Sequence, residues 1–193
     1  MEPLTRADLM SLEEYASKRI AFREQVMQHK LERRVLIGDH ATLHFEDRMI
    51  MQYQVQEMLR LERIFEADLI QEELDVYNAL IPNGSNWKAT FMIEFPDIDQ
   101  RKVELARLIG IEEKTWMQVG DHGKVYPIAN EDLERSTEDK TSSVHFMRWE
   151  LTPEMVKDAK AGAAIKAGID HPNYNVAVTL DEAQRASLAS DLS

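Results

Sequence analysis

Apolar and polar positions alternate with two different periods along the chain, and each change of period predicts a change between helix and strand. Helical periodicity covers residues 11–33, 48–69, 68–81, 97–109, 153–168 and the segment after residue 181. Strand-like alternation covers residues 34–37, 41–45, 87–95, 115–119, 124–128, 143–151 and 175–180. Since these strands are short and joined by turns, we expect an α+β fold, an antiparallel β-sheet with several helices packed on it. The length predicts a single domain over residues 1–193.

Local signals fix several helix ends in this scheme. Ser11 with Glu14 forms the pattern of a capping box, Thr152 with Pro153 predicts another helix start, and Asp181 caps a terminal helix. The residues 130–141 are strongly charged and predict a loop or a short helix. The glycines at 162 and 168 do not have the spacing of a phosphate-binding loop, so we interpret them as small residues for close helix packing.

The helix predicted over residues 48–69 carries two polar residues in its apolar stripe. The stripe contains Met51, Val55, Met58, Leu61, Phe65 and Leu69, and Gln54 and Glu62 fall between these positions. An unpaired buried carboxylate is costly, so Glu62 needs a cation, a metal ion or a hydrogen-bond donor, or else it keeps its proton. The pattern therefore predicts a polar site inside the core.

The strand predicted over residues 143–151 offers partners for this carboxylate. His145 lies on one face of the strand and Arg148 on the other, and either face has apolar neighbours. A pair with Arg148 would be a buried ion pair that fixes packing, whereas a pair with His145 would have a tunable proton. A purely structural polar contact is the simpler interpretation. A divalent metal site formed by Glu62, His145 and a further carboxylate is the other alternative.

Composition excludes several classes of function. The formal charge is −12, from 23 basic and 35 acidic residues, so non-specific binding to nucleic acid or to an anionic membrane is disfavoured. The chain has no cysteine, which removes disulfides, thiolate nucleophiles and self-ligated iron–sulfur clusters. No apolar run is long enough to span a membrane and no secretory leader is visible, so we expect a cytoplasmic protein. No catalytic motif is present.

Several segments together resemble a known bacterial family. They are residues 45–48 (FEDR), 53–65 (YQVQEMLRLERIF), 81–86 (IPNGSN), 140–146 (KTSSVHF) and 168–174 (GIDHPNY). On these segments the chain is identified as a member of the family called domain of unknown function 3501, and the similarity extends from residue 4 onward. The family has no assigned chemistry. Its genes often lie beside rubrerythrin-like and iron–sulfur oxidoreductase genes, which implies a redox or oxidative-stress setting and such a protein as partner.

The polar residues that periodicity places among apolar neighbours are also characteristic of the family that the chain resembles. Its characteristic polar positions are Gln54, Glu57, Glu62, Arg63, His145, Arg148 and His171. We therefore hypothesise a pocket that binds a small ligand or a divalent metal ion and serves a partner oxidoreductase. In this hypothesis Glu62 and His145 form the inner pair and the metal ligands. Gln54 orients the ligand and Arg148 balances charge, while Glu57 and His171 also contribute to the ligand site.

Two other classes of function compete with this hypothesis. The first is a metal-dependent or acid/base enzyme in which Glu62 is a base with a raised pKa. The second is a structural or adaptor protein, whose acidic surface docks a basic partner while the buried polar network only fixes the fold.

Overall fold

The computed structural model of the protein describes residues 1–133, 135–137 and 139–193. Its α-helices are α1 (Leu12–Leu31), α2 (Arg48–Glu62), α3 (Ala67–Asn78), α4 (Ile98–Arg107), α5 (Pro153–Lys160) and α6 (Glu182–Ala189). Its strands are β1 (Arg34–Ile37), β2 (Ala41–Phe45), β3 (Asn86–Ile93), β4 (Thr115–Val119), β5 (Ile128–Ala129), β6 (Val144–Glu150), β7 (Ile165–His171) and β8 (Tyr174–Thr179). Short 3₁₀ turns cover Arg6–Asp8 and Ile111–Lys114. None of the described helices combines the length and the apolar composition that a membrane span needs.

The strands form two antiparallel sheets, which confirms the α+β prediction and replaces the single predicted sheet with two. The larger sheet has the order β1-β2-β3-β6-β5, and the smaller one has the order β4-β7-β8. Their facing sides enclose an apolar core together with α4, α5 and α6, and this core contains Trp87, Phe91 and Trp149. Every second side chain along a strand points to the same face of the sheet. The apolar side chains of the two facing sides therefore meet in this core and are shielded from water.

The central strands of the larger sheet divide their residues cleanly between two faces. On β3, Trp87, Ala89, Phe91 and Ile93 are buried in the core, while Lys88, Thr90 and Met92 are half-buried on the outer face. The register with β6 pairs Trp87 with Trp149 and Lys88 with Arg148. Because the side-chain period of a strand is two, this register places both cations on the outer face.

The helices α1, α2 and α3 pack on one another around a second apolar cluster. Val26, Val55 and Leu74 are fully buried in it, one from each helix. Gln56 of α2 is also fully buried, and its amide binds the backbone N–H and C=O of Met10. The Gln56 amide thereby satisfies the backbone N–H and C=O of Met10, in the segment that precedes α1, in place of another backbone group.

The helix α2 is shorter than the sequence predicts. It ends at Glu62, and Arg63 adopts the left-handed conformation with φ of 56°. Glycine usually occupies this position at a helix end, and a non-glycine residue in this conformation is uncommon. Because Arg63 takes the place of glycine, the sequence carries no signal for the end of α2. The predicted stripe fails near this end of the helix, where Leu61, Phe65 and Leu69 are exposed.

One further segment prediction is wrong, and another is confirmed only in part. The helix predicted over residues 153–168 ends at Lys160, and Ile165–His171 is the central strand of the smaller sheet. Gly168 is a strand glycine that leaves room for the indole of Trp116. The predicted strand 124–128 contributes one β-bridge, between Val125 and Met117, and β5 pairs with β6 instead. The predicted charged loop 130–141 contains Glu134 and Glu138, which lie outside the described residues.

Candidate functional site

A cleft of about 780 Å³ lies between the end of α3 and the outer face of the larger sheet. Its apolar wall is formed by Val76, Tyr77, Leu80 and Phe146, and the side chain of Val76 is exposed at its edge. Its polar lining contains Asn83, Asn86, Lys88, Glu131, Asp132, Arg148 and Glu150. A concave, mostly apolar surface with a few converging polar groups is typical of a small-molecule site.

Lys88 is the cation at the polar end of this cleft. Its ammonium nitrogen Nζ donates a hydrogen bond of 2.7 Å to the carbonyl of Ala79, the residue that ends α3. Burial lowers the pKa of Lys88, the neighbouring charge of Arg148 lowers it further, and Glu131 and Glu150 oppose this shift. Among the described residues no carboxylate forms an ion pair with Lys88, so its nitrogen keeps hydrogen-bonding capacity for a ligand.

Arg148, by contrast, is saturated by carboxylates. Its Nε and Nη2 donate to Glu131 at 2.8 and 2.7 Å, and its Nη1 contacts Glu150. These two carboxylates raise the pKa of Arg148 and Arg148 lowers that of Glu131. Glu150 is also held by the side-chain amide of Asn86 at 2.9 Å. Arg148 therefore fixes the acidic side of the cleft, and Lys88 is the cation that remains for a ligand.

The predicted inner pair of Glu62 and His145 is not found in the structure. Glu62 is exposed at the end of α2, so the prediction that its carboxylate is buried is wrong. Gln54, also predicted to lie inside the core, is partly exposed, and Gln56 is the buried glutamine. The helix turns its buried stripe toward Ile50, Tyr53, Val55, Gln56 and Leu59, about one position away from the stripe that the sequence suggests.

Glu57 forms a separate polar cluster between α1 and α2. Its two carboxylate oxygens accept hydrogen bonds from Arg19 Nε at 2.7 Å and Nη2 at 2.8 Å. The hydroxyl of the fully buried Tyr15 donates to the same carboxylate at 2.7 Å. These donors, Arg19 foremost, lower the pKa of Glu57 to about 2. The cluster joins two helices and does not line the cleft.

His145 is fully buried on the core face of β6, in a network of its own. Its Nδ1 faces the side-chain NH₂ of Asn130 at 3.0 Å, so Nδ1 accepts and Nε2 carries the proton. Nε2 lies 3.0 Å from both the carbonyl of Ser142 and the hydroxyl of Thr141. Thr141 also lies 3.2 Å from Glu112, whose carboxylate is 3.9 Å from the imidazole.

Burial lowers the pKa of His145, although the charge of Glu112 opposes this shift. The shift favours the neutral imidazole, and each of its ring nitrogens has a partner. This network holds the segment before β6 against the sheet, and Glu62 does not belong to it. Within residues 1–133, 135–137 and 139–193, no three His, Asp or Glu side chains are arranged to hold a metal ion.

His171 stabilises a turn at the end of β7. Its Nδ1 accepts from the backbone N–H of Asn173 at 3.2 Å, and its Nε2 lies 3.2 Å from the carbonyl of Ile109. The side chain thus links the β7–β8 turn to the segment after α4. Of the six residues predicted to bind a ligand, only Arg148 lines the 780 Å³ cleft.

A smaller cleft of about 290 Å³ lies farther along the same sheet face, beside the end of α1. His44 and Glu46 line it, and Glu46 accepts a hydrogen bond of 2.6 Å from Thr90. Burial raises the pKa of Glu46 and lowers that of His44. Sequence reasoning missed both Glu46 and Lys88 as site residues. Strand alternation placed Lys88 on the outer face, but it could not show that α3 ends above it.

The fold is an α+β fold with two antiparallel sheets and a layer of helices. A ligand-sized groove lies between α3 and the outer face of the larger sheet. The chain belongs to the family described as protein of unknown function (DUF3501), whose model matches residues 3–192. It is similar to the crystal structure of a protein of unknown function from Burkholderia pseudomallei, with 49% sequence identity and a TM-score of 0.92 over 100% of both chains. Among proteins with curated functions, none matches this sequence.

Proposed function

We propose that the protein binds a small ligand with an apolar body and a polar head in the cleft between α3 and the larger sheet. The observation that carries the proposal is the position of Lys88, whose nitrogen lies at one end of a groove walled by Tyr77 and Phe146. Apolar walls bury the body of a ligand, while a single positioned donor selects its head group. The expected head group is an oxygen acceptor, such as a carbonyl or a carboxylate.

The proposed role is ligand binding in support of another protein. The family resemblance suggests a rubrerythrin-like or iron–sulfur oxidoreductase as that partner. Sedimentation velocity of the purified chain mixed with such an oxidoreductase, with and without a ligand, tests this part. A complex that forms or dissociates with ligand supports the partner, and unchanged sedimentation of both proteins at micromolar concentrations removes it.

The binding proposal is tested by amide NMR spectra recorded during titration with hexanol, an uncharged probe with an apolar body. We expect shifts to concentrate at residues 76–80, at and just after the end of α3, and at the outer faces of β3 and β6. Ala79→Trp should fill the cleft and abolish these shifts, since Ala79 is exposed and lines it. Ala183→Trp is the matched control, at an exposed position of α6 that does not line the cleft.

Two outcomes would overturn the proposal. One is a set of shifts spread evenly over the protein surface, which would indicate non-specific contact. The other is an Ala79→Trp variant that binds hexanol as tightly as the unmodified chain. Either result would leave the polar groups of the cleft with a purely structural role.

A further inference from the structure

Lys88 combines a position inside the cleft with an amine that no carboxylate among the described residues pairs with. The side chain is half-buried, and its Nζ is anchored by one hydrogen bond to the carbonyl of Ala79. The cross-strand neighbour in the register is Arg148, another cation. A lysine in an apolar cleft next to a cation is the arrangement that favours the neutral, nucleophilic amine.

The charged groups around Lys88 act in both directions: Arg148 favours the neutral amine, whereas Glu131 and Glu150 oppose it. From β6, Arg148 faces it, and the carboxylates of Glu131 and Glu150 are both engaged by Arg148. From α3, the carbonyl of Ala79 accepts one N–H, which a neutral amine also provides. The pKa of Lys88 is lowered by burial first and by Arg148 second. The nitrogen can therefore keep its anchor and still present a lone pair to the cleft.

We propose that Lys88 forms an imine with the carbonyl carbon of a small aldehyde that occupies the cleft. The inference rests on the proposed function, because it names the chemical class of the ligand in the same site. The hydrocarbon body of the aldehyde packs between Tyr77, Leu80 and Phe146, and its carbonyl group lies at Nζ.

The reaction balances with water as the only other product. The lone pair of the amine forms the carbon–nitrogen bond, and the carbonyl π electrons move to the oxygen, which takes a proton to give a carbinolamine. The nitrogen then loses its remaining proton, the hydroxyl leaves as water, and a carbon–nitrogen double bond forms. No oxidant or reductant takes part. The released water can leave at the exposed edge formed by Val76.

The test is reductive trapping in the full chain with hexanal and cyanoborohydride, followed by peptide mass spectrometry. The reference is Lys102, whose side chain is 75% exposed. We expect Lys88 to be alkylated several-fold faster than Lys102 near neutral pH, and hexanol to slow alkylation at Lys88 alone. The pH of half-maximal rate should also be lower for Lys88 than for Lys102.

Two variants separate chemistry from structure. Lys88→Arg keeps a donor for the carbonyl of Ala79 and removes the reactive amine, so alkylation at this position is lost. Arg148→Met removes the neighbouring cation and releases two carboxylates, so it should slow alkylation of Lys88 and move its pH profile upward. A lysine with an ordinary pKa would show neither the pH difference nor the response to Arg148→Met.

The results distinguish this inference from the proposed function. If hexanol binds the cleft and Lys88 reacts no faster than Lys102, the imine is wrong and the binding site stands. If hexanol does not bind, the proposed function fails, and the imine fails with it. Alkylation of Lys88 that hexanol does not slow would also overturn the imine, because the aldehyde would then react without occupying the cleft.

Discussion

The guanidinium of Arg33 and the carboxylate of Asp191 form an ion pair in which both side chains are 1% exposed, with 2.6 Å between Nη2 and Oδ2. Arg33 also donates to the carbonyls of Phe45 and Glu46 and lies 3.3 Å from the carboxylate of Asp47. The side chain thus connects three segments: the one after α1, the one after β2 and the one after α6. Such a pair is stable only because nearly every donor of the guanidinium has an acceptor.

Removal of one partner of this pair should destabilise the protein strongly. We expect Asp191→Ala to lower the free energy of unfolding by about 3 kcal/mol, because Arg33 is then left buried with part of its donors unsatisfied. Urea denaturation measures the change. Asp121→Ala, at an exposed turn, serves as the control and should stay within about 0.5 kcal/mol. A loss of similar size in both variants would show that the pair contributes little.

The cluster of Glu57, Arg19 and Tyr15 predicts a pH dependence of stability. The pKa of Glu57 falls from 4.5 to about 2 in the folded protein. A carboxyl group with a lowered folded pKa stabilises the fold above its unfolded pKa, and this contribution is lost as pH falls from about 4.5 through about 2. We expect Glu57→Gln to be less stable near neutral pH, with the difference from the unmodified chain shrinking across this window. A constant difference in urea midpoints across the window would contradict the assignment.

Glu62→Gln should leave the fold intact, in contrast to Glu57→Gln on the same helix. Its carboxylate is exposed, so the change in unfolding free energy should remain within about 0.5 kcal/mol. Burial and the like charges of Glu62 and Glu72 raise the pKa of Glu73. Glu62→Gln removes one of these repulsive charges, so its small effect on the free energy of unfolding should be stabilising. Urea denaturation of the two variants side by side measures the contrast. A loss of unfolding free energy well above this range would show that the Glu62 side chain is buried in the folded protein.

Gly168 should not accept even an alanine. A Cβ atom there would lie 2.3 Å from Cζ2 of Trp116 and 2.9 Å from the carbonyl oxygen of Val176. We expect Gly168→Ala to destabilise by about 1–3 kcal/mol, as overpacked sites do. It should also change tryptophan fluorescence, since Trp116 donates to Asp170 at 3.0 Å and the indole must shift. Gly123→Ala is the control, because an added Cβ meets nothing within 4 Å there.

The sequence predicted the elements whose ends carry chemical signals. Ser11, Thr152 and Asp181 each cap a helix as expected, and the alternation over residues 87–95 predicted a strand that the structure contains as β3. Prediction failed where the signal was absent. Arg63 ends α2 without a glycine, and the strand beginning at Ile165 looked like a continuation of a helix that in fact ends at Lys160.

The candidate site was less accessible to prediction than the fold. Arg148 was predicted as a partner for Glu62, but Arg148 lies on β6 and lines the cleft, whereas Glu62 is exposed at the end of α2. The error came from the phase of one helix, because the buried stripe of α2 lies about one position away from the stripe that the sequence suggests. The cleft itself depends on where the end of α3 meets the outer face of β3, through the contact of Lys88 with Ala79. Periodicity describes one element at a time, so it cannot predict that the end of one element packs on the face of another.

The two apolar clusters, one among α1–α3 and one between the sheets, share no residue among those described. Amides in α1–α3 and amides in the sheets with α4–α6 should therefore exchange with solvent deuterium as two blocks, each with its own opening free energy. A molecule seated between Tyr77 of α3 and Phe146 of β6 touches both blocks at once. Occupancy would then slow exchange in both together, and a partner protein could detect the ligand through the rigidity of the helices.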